Sequence, residues 1–327
     1  MKAIVLESYG DESSLIYREV KDLRPKPGQA LVKVKATSIN PIDWKIASGS
    51  IQVRPVVGLF HPKKDKILGG DVAGIIEEIN ISENNKEENK FKVGDRVYGL
   101  KFALVGGGYA QYICMDIKDL AIIPKKMKFK EAAGIPLAGI TALQALKKEG
   151  KIKIGDQVLI NGASGGVGTF AVQYAKALGA KVTAVCSEKN SRLVKSLGAN
   201  VIIDYKKQNF IEHAVENNIK YNIVFDVVSN SSFSKCSKIM AFSSSYINTN
   251  FSTDVISRML IGNIFSKKKA FMNVVGSSRR DLEYSNKLFE EGRLKTIIDR
   301  TWKLEEVPKA HAYNKLGRTV GKNIILV

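Results

Sequence analysis

Between residues 157 and 180 the chain reads QVLINGASGGVGTFAVQYAKALGA. A run of apolar, β-favouring residues stops at Asn161, glycines follow at 162, 165, 166 and 168, and Val167, Ala171, Tyr174 and Leu178 then recur at helical spacing. A strand that turns on glycines straight into a helix leaves the first N–H groups of that helix bare, with the positive end of its dipole behind them. Such a turn accepts a pyrophosphate, and small residues let the phosphates come close. The series is not a strict Gly-x-Gly-x-x-Gly, because Ala163 stands in the first glycine's place. Its position between a strand and a helix therefore carries the reading more than the pattern does.

The surrounding sequence supplies that context. From residue 1 to 125 the segments are short, β-rich and broken by turns, as in KAIVL, ALVKVKAT, DVAGIIEEI and DRVYGL, and the polar stretch 82–90 reads as an exposed loop. From 126 to 268 apolar strands alternate with helices, and this texture predicts βαβ units and a doubly wound parallel sheet. Gly179 and Gly198 close successive helices as LGA before a β-branched strand. From 269 to 327 a last helix and the strand NIILV return the chain to the first domain.

Cofactor choice is read about 20 residues beyond the glycine turn, where an Asp or Glu accepts the ribose 2′-hydroxyl of NAD. Here the strand KVTAV ends in Cys186, followed by Ser187, Glu188 and Lys189, with Arg192 beyond. With no carboxylate to repel a 2′-phosphate, and with Ser187 and Lys189 able to donate to it, NADP(H) is the expected cofactor. Glu188 is expected to turn to solvent. Ser164, Gly165, Gly166 and Val167 are the expected pyrophosphate contacts. Tyr205 either covers the adenosine or is an ordinary strand-end aromatic.

The formal charge of +19 raises the question of nucleic acid. The lysines are spread along the chain and the run 267–269 is the longest, so a lysine-rich solvated surface is expected and a nucleic-acid face is not. Cys114, Cys186 and Cys236 fit neither a disulfide framework nor a closed zinc site, and the opening residues resemble neither a signal nor a transit peptide. The few scattered cysteines point to a reducing cytosol, so a cytoplasmic location is expected, and no apolar run approaches a membrane span.

The segments ATSINPIDWKIASG (36–49), LGGDVAG (68–74), KVGDRVYG (92–99), GIPLAGITALQAL (134–146), NGASGGVG and GRTVGKNIILV (317–327) together resemble the zinc-independent medium-chain dehydrogenase/reductases. The likeness is to the quinone oxidoreductase and alkenal/enone reductase branch, and it spans essentially the whole chain. It implies a GroES-like β-rich catalytic domain made from both chain ends, and a Rossmann domain between them. It also implies an electrophilic small-molecule substrate, and a homodimer paired through an edge of the Rossmann sheet, for which KAFMNVV is the candidate strand.

Zinc-dependent relatives carry a Cys near the position of Asn40 and a His-Glu pair at Gly70-Asp71, so no metal ligand is expected here. The resemblance places Asn40 and Asp43 beside the nicotinamide. Lys45 stands where quinone reductases carry a tyrosine, and it is either a group that stabilises an enolate or a structural lysine. Asp71 is expected to support the pocket from behind. Thr141 either meets the cofactor or caps the helix TALQALKKEG. Ser243, in a serine-rich loop expected after the fifth sheet strand, and Lys322 are the remaining cofactor candidates, Lys322 having a structural role at the last strand as its alternative. The expected reaction is NADPH-dependent reduction of quinones or activated C=C bonds. The alternatives are a 2-enoyl-thioester reductase, or an RNA-binding or structural relative.

Overall fold

The computed structural model describes residues 1–50, 54–81, 90–102, 106–250 and 252–327 of the 327. The loop expected at 82–90 falls almost wholly outside the described residues. The chain forms two compact units, one of Met1–Leu137, Gly276–Glu290 and Thr296–Val327, the other of Ala138–Val275 and Glu291–Lys295. The first junction thus falls twelve residues after the expected 125, and the return begins at Gly276 instead of 269. The reason is that Lys268–Met272 pairs as a sixth parallel strand of the second unit.

The first unit is β-rich. Its strands are β1 (Lys2–Leu6), β2 (Leu15–Glu19), β3 (Gln29–Ile39), β4 (Asp71–Asn80), β5 (Arg96–Leu100), β6 (Tyr112–Asp116) and β7 (Leu120–Ile122). The long strand QALVKVKATSI alternates buried and half-buried residues over its first half, because one face packs on apolar neighbours and the other is open. Its second half, Thr37 to Ile39, is buried on both faces, and this change brings polar side chains into the interior. β3 pairs antiparallel with β4 and β6, and the core on this side includes Val32, Val72, Val97, Ile113 and Leu120.

The second unit carries β8 (Gln157–Asn161), β9 (Lys181–Cys186), β10 (Val201–Asp204), β11 (Tyr221–Asp226), β12 (Met240–Asn248) and β13 (Lys268–Met272). They run parallel in the order β10-β9-β8-β11-β12-β13, so the strand order reverses between β8 and β11. Ligands of open parallel sheets sit at the carboxyl ends of the strands at such a reversal. Helix Gly166–Ala177 follows β8 and is buried continuously from Gly168 to Ala175, so the single apolar face expected at Ala171 and Tyr174 is in fact an almost wholly buried helix. Gly179 and Gly198 end their helices with φ of 83° and 118°, a backbone that glycine adopts without strain. The chain then returns to the first unit, where β14 (Ile298–Lys303) and β15 (Lys322–Leu326) complete its sheet, β15 pairing antiparallel with β3.

Candidate active site

In the second unit the glycines act through close approach. Gly162 has φ of 85°, and a Cβ at Gly168 would collide with the carbonyl oxygen of Gly162 and the backbone of Ala163. The helix therefore begins directly on the turn, with Gly165 as its N-cap. Gly165 itself has room, the nearest atom to an added Cβ being Gly162 O at 3.5 Å. Asn190, which the sequence reading passed over, donates from Nδ2 to Ser164 Oγ at 3.0 Å and ties the loop after β9 to the turn.

That loop has the expected order. Cys186 ends β9, buried, its thiol pushed up to about 11 by burial and by the charges of Asp204 and Glu188, so it is a packing residue and no nucleophile. Ser187 is buried, and Lys189 lies exposed in a short turn. Glu188 faces solvent as expected and pairs with Lys207 at 3.0 Å, so the acid nearest the strand end is already met by a cation. Tyr205 follows β10 half-exposed.

Two expectations are corrected in this unit. Ser243 lies inside β12, near its amino end and exposed, and not in a loop after the strand. Ser245 aligns with Ile223 and Asn248 with Asp226, so the residues at the carboxyl edge are Asn248 and Thr249. Ser243 is therefore at the end of the strand opposite to where ligands of such sheets bind. The serine run was misplaced because a polar stretch reads as a loop when its strand partners are unknown. Thr141 is buried inside helix Pro136–Gln144, five residues after its start, which is not the N-cap position of that helix.

Residues missed by the sequence reading line the strand-order reversal. Asn161 and Asp226, the last residues of β8 and β11, align with each other and bond through Asn161 Nδ2 and Asp226 Oδ1 at 2.8 Å. Asp226 also accepts the N–H groups of Ser229 and Ser231. Their signal was a polar residue closing each apolar strand, which composition alone does not single out.

In the first unit, side chains far apart in sequence meet in a dry interior. Asp71, fully buried, accepts Asn40 Nδ2 at 2.8 Å, the N–H of Leu137 at 2.7 Å and the hydroxyl of Ser38. Lys322 is buried as well, its ammonium 3.5 Å from Asp71 Oδ2 and bonded to Asn40 Oδ1. Burial lowers its pKa while Asp71 and Asp43 oppose that shift. Of the two roles left open for Lys322, the contacts it makes are those of an internal counter-ion at the start of β15.

Asp43 reaches back over the first turn of helix Pro41–Ala47, its Oδ2 accepting the N–H of Asn40 at 2.8 Å. The same oxygen accepts the hydroxyl of Tyr109 at 2.8 Å, and Tyr109 lies 3.3 Å from His311 Nε2. Burial, outweighing the two hydrogen bonds to its carboxylate, raises Asp43 to about 7. His311 is pushed down to about 4 by burial. Lys45 is half-buried on the same helix, its ammonium 5.7 Å from the centre of the Trp44 ring and its pKa lowered by burial.

Residues 26–125 match the family described as alcohol dehydrogenase GroES-like domain, and residues 197–325 the family described as zinc-binding dehydrogenase. The chain is 33% identical to a chloroplast envelope quinone oxidoreductase homolog of Arabidopsis thaliana, covering 99% of this chain and 98% of that protein. It is 31% identical to a 2-methylene-furan-3-one reductase of Solanum lycopersicum over 99% of this chain and 79% of that one. The solved quinone oxidoreductase of Coxiella burnetii superposes with a TM-score of 0.88 at 29% identity, over 100% of this chain and 99% of that one. A GroES-like domain and a Rossmann domain in one chain, together with these relatives, identify an oxidoreductase. The chain belongs to the medium-chain dehydrogenase/reductase superfamily, among its quinone oxidoreductases.

Zinc is implied by one of those family names, and the donors do not fit it. Asn40 offers an amide, Asp71 is already engaged by three donors, and the Lys322 ammonium beside it disfavours a second cation. Among the described residues no group of three or more His, Cys, Asp or Glu side chains is placed to hold a metal ion.

Proposed function

We propose that this chain is an NADPH-dependent reductase of quinones or of C=C bonds conjugated to a carbonyl, working without zinc. The observation that carries the reading is the second unit's cradle, a buried helix starting on Gly162 to Gly168 with Cys186 in place of the ribose-binding acid. Ser164, Gly165, Gly166 and Val167 would hold the pyrophosphate, and Ser187 and Lys189 the 2′-phosphate, with Tyr205 against the adenosine. Thr141 remains a proposed contact, and Lys322 acts through Asn40.

When bound, NADPH supplies a hydride to the electrophilic carbon. The protein must then stabilise negative charge on the acceptor oxygen and deliver one proton. Asn40, Asp43 and Lys45 are the proposed groups for these tasks, a reading supported by the position beside the nicotinamide that the resemblance implies for their segment and by burial raising Asp43 to about 7. The names of the Arabidopsis and tomato relatives support quinone and enone acceptors.

Among the described residues no helix is long and apolar enough to cross a membrane. The three cysteines are buried and unpaired, which suits a reducing compartment such as the cytoplasm. β13 is the edge of its sheet, which supports pairing of a second copy there. Light scattering would read that homodimer.

The test is initial rates with NADPH and NADH against 1,4-benzoquinone, 3-buten-2-one and a short 2-enoyl thioester. Preference for NADPH should fall about tenfold or more in Lys189→Ala, the loss expected for one charge-assisted contact. An unchanged preference refutes the assignment of that lysine, and the thioester as best acceptor moves the substrate class.

A further inference from the structure

The residue between the two proposed contacts of the 2′-phosphate is an acid. Glu188 lies in the chain between Ser187 and Lys189 and opens the short turn Glu188–Asn190 that follows β9. That turn is pinned: the Asn190 N–H donates to Ser187 O at 2.9 Å, and its side-chain amide donates to Ser164 Oγ at 3.0 Å. In a sheet of this order the adenosine ribose lies at the end of this strand, where a carboxylate accepts a 2′-hydroxyl and repels a 2′-phosphate. The Glu188 side chain is 65% exposed there, so its charge works against the coenzyme that Ser187 and Lys189 would select.

The neighbouring strand meets that charge. Asp204, the last residue of β10, aligns with Cys186, so the turns after the two strands start side by side. Asp204 fixes its own turn, its Oδ1 accepting the Lys206 N–H at 3.0 Å and its carbonyl the Lys207 N–H at 2.9 Å. Lys207 Nζ then donates to Glu188 Oε2 at 3.0 Å. The hydrogen bond and charge of Glu188, with Asp204 adding to them, hold the Lys207 ammonium above its ordinary value. A pair this exposed adds little to stability, because solvent screens it. Its effect on a bound 2′-phosphate is larger, because that group carries nearly two negative charges.

We propose that Lys207 sets the coenzyme preference of this chain by masking Glu188, so that a 2′-phosphate meets a neutral pair beside Ser187 and Lys189 in place of a bare carboxylate. The proposal rests on the dinucleotide reading above. Lys207 is a positioning residue, acting on the phosphate through Glu188 and not by touching it.

The experiment uses the full chain and measures the dissociation constants of NADPH and NADH from the fluorescence of the reduced nicotinamide. In Lys207→Gln the preference for NADPH is expected to fall about fivefold or more, the effect of one unmasked charge several ångströms from a dianion. Glu188→Gln should raise the preference by a similar factor, and the double variant should return it to within about twofold of the wild type. The loss in Lys207→Gln should shrink as salt rises from about 0.05 to about 0.5 M, which a merely misshapen turn would not do. An unchanged preference in Lys207→Gln overturns the masking while NADPH selection stands. So does a double variant as poor as Lys207→Gln, since Lys207 would then be a direct contact. A wild type that binds NADPH no better than NADH overturns both the masking and the NADPH reading. A wild type that binds NADPH tightly but reduces neither 1,4-benzoquinone nor 3-buten-2-one sinks the reductase reading alone, and the binding ratios still decide the masking.

Discussion

The glycine cradle of the second unit and the buried polar cluster of the first solve the same problem of placing polar groups in a dry interior by opposite means. The cradle uses backbone from one continuous stretch, 162–168, and depends on side chains being absent. The cluster uses side chains from Ser38 to Lys322 that satisfy one another together with the backbone of Leu137 and Ile39. The first should fail by steric collision and the second by uncompensated charge.

The largest effect should come from Gly168→Ala, whose Cβ has backbone and not a flexible side chain to displace. A loss of at least about 4 kcal/mol in denaturant unfolding is expected, while Gly165→Ala, with its 3.5 Å of room, should stay within about 1 kcal/mol. Equal losses would erase the distinction between close approach and mere turn-forming.

Lys322→Met should cost about 3 to 5 kcal/mol, since it leaves the Asp71 carboxylate buried without its counter-ion. A variant as stable as the wild type would mean that Ser38, Asn40 and Leu137 suffice to hold that charge.

Two buried groups of the cluster give stability opposite slopes with pH. Asp43, raised to about 7 from an unfolded value near 4, contributes stability that is complete below about pH 4 and lost as pH rises through about 7, on the order of 4 kcal/mol across that window. His311, lowered to about 4 from near 6.5, contributes stability present above about pH 6.5 and lost as pH falls through about 4. Urea midpoints between pH 4 and 8 should therefore fall less on the alkaline side in Asp43→Asn and less on the acid side in His311→Gln. Identical slopes in all three proteins would remove both assignments.

The smallest effect belongs to the exposed pair Glu188–Lys207. Glu188→Gln should leave the melting temperature within about 1 °C, because solvent screens such pairs. A larger shift would show that the loop after β9 is held by charge and not by the Asn190–Ser164 bond.

The sequence was most readable where structure is local. The turn after β8, the strand end at Cys186 and the helix stops at Gly179 and Gly198 each depend on neighbours within a few residues. The serine run at 242–245 misled because a parallel strand is defined by partners, here Ile223 and Lys269, that its own residues do not reveal. Asn40 and Asp43 were singled out by their motif, but their partners Tyr109 and His311 were not, being ordinary residues of other segments.

By itself the sequence determined the order of elements, the parallel sheet and the bare helix start, since backbone conformation and hydrophobic period act over short range. Only the tertiary structure decided that Lys322 neutralises Asp71, that burial raises Asp43 to about 7 and that His311 lies against Tyr109. Those properties come from desolvation and from distances of about 3 Å between residues up to 282 positions apart, which no local pattern encodes.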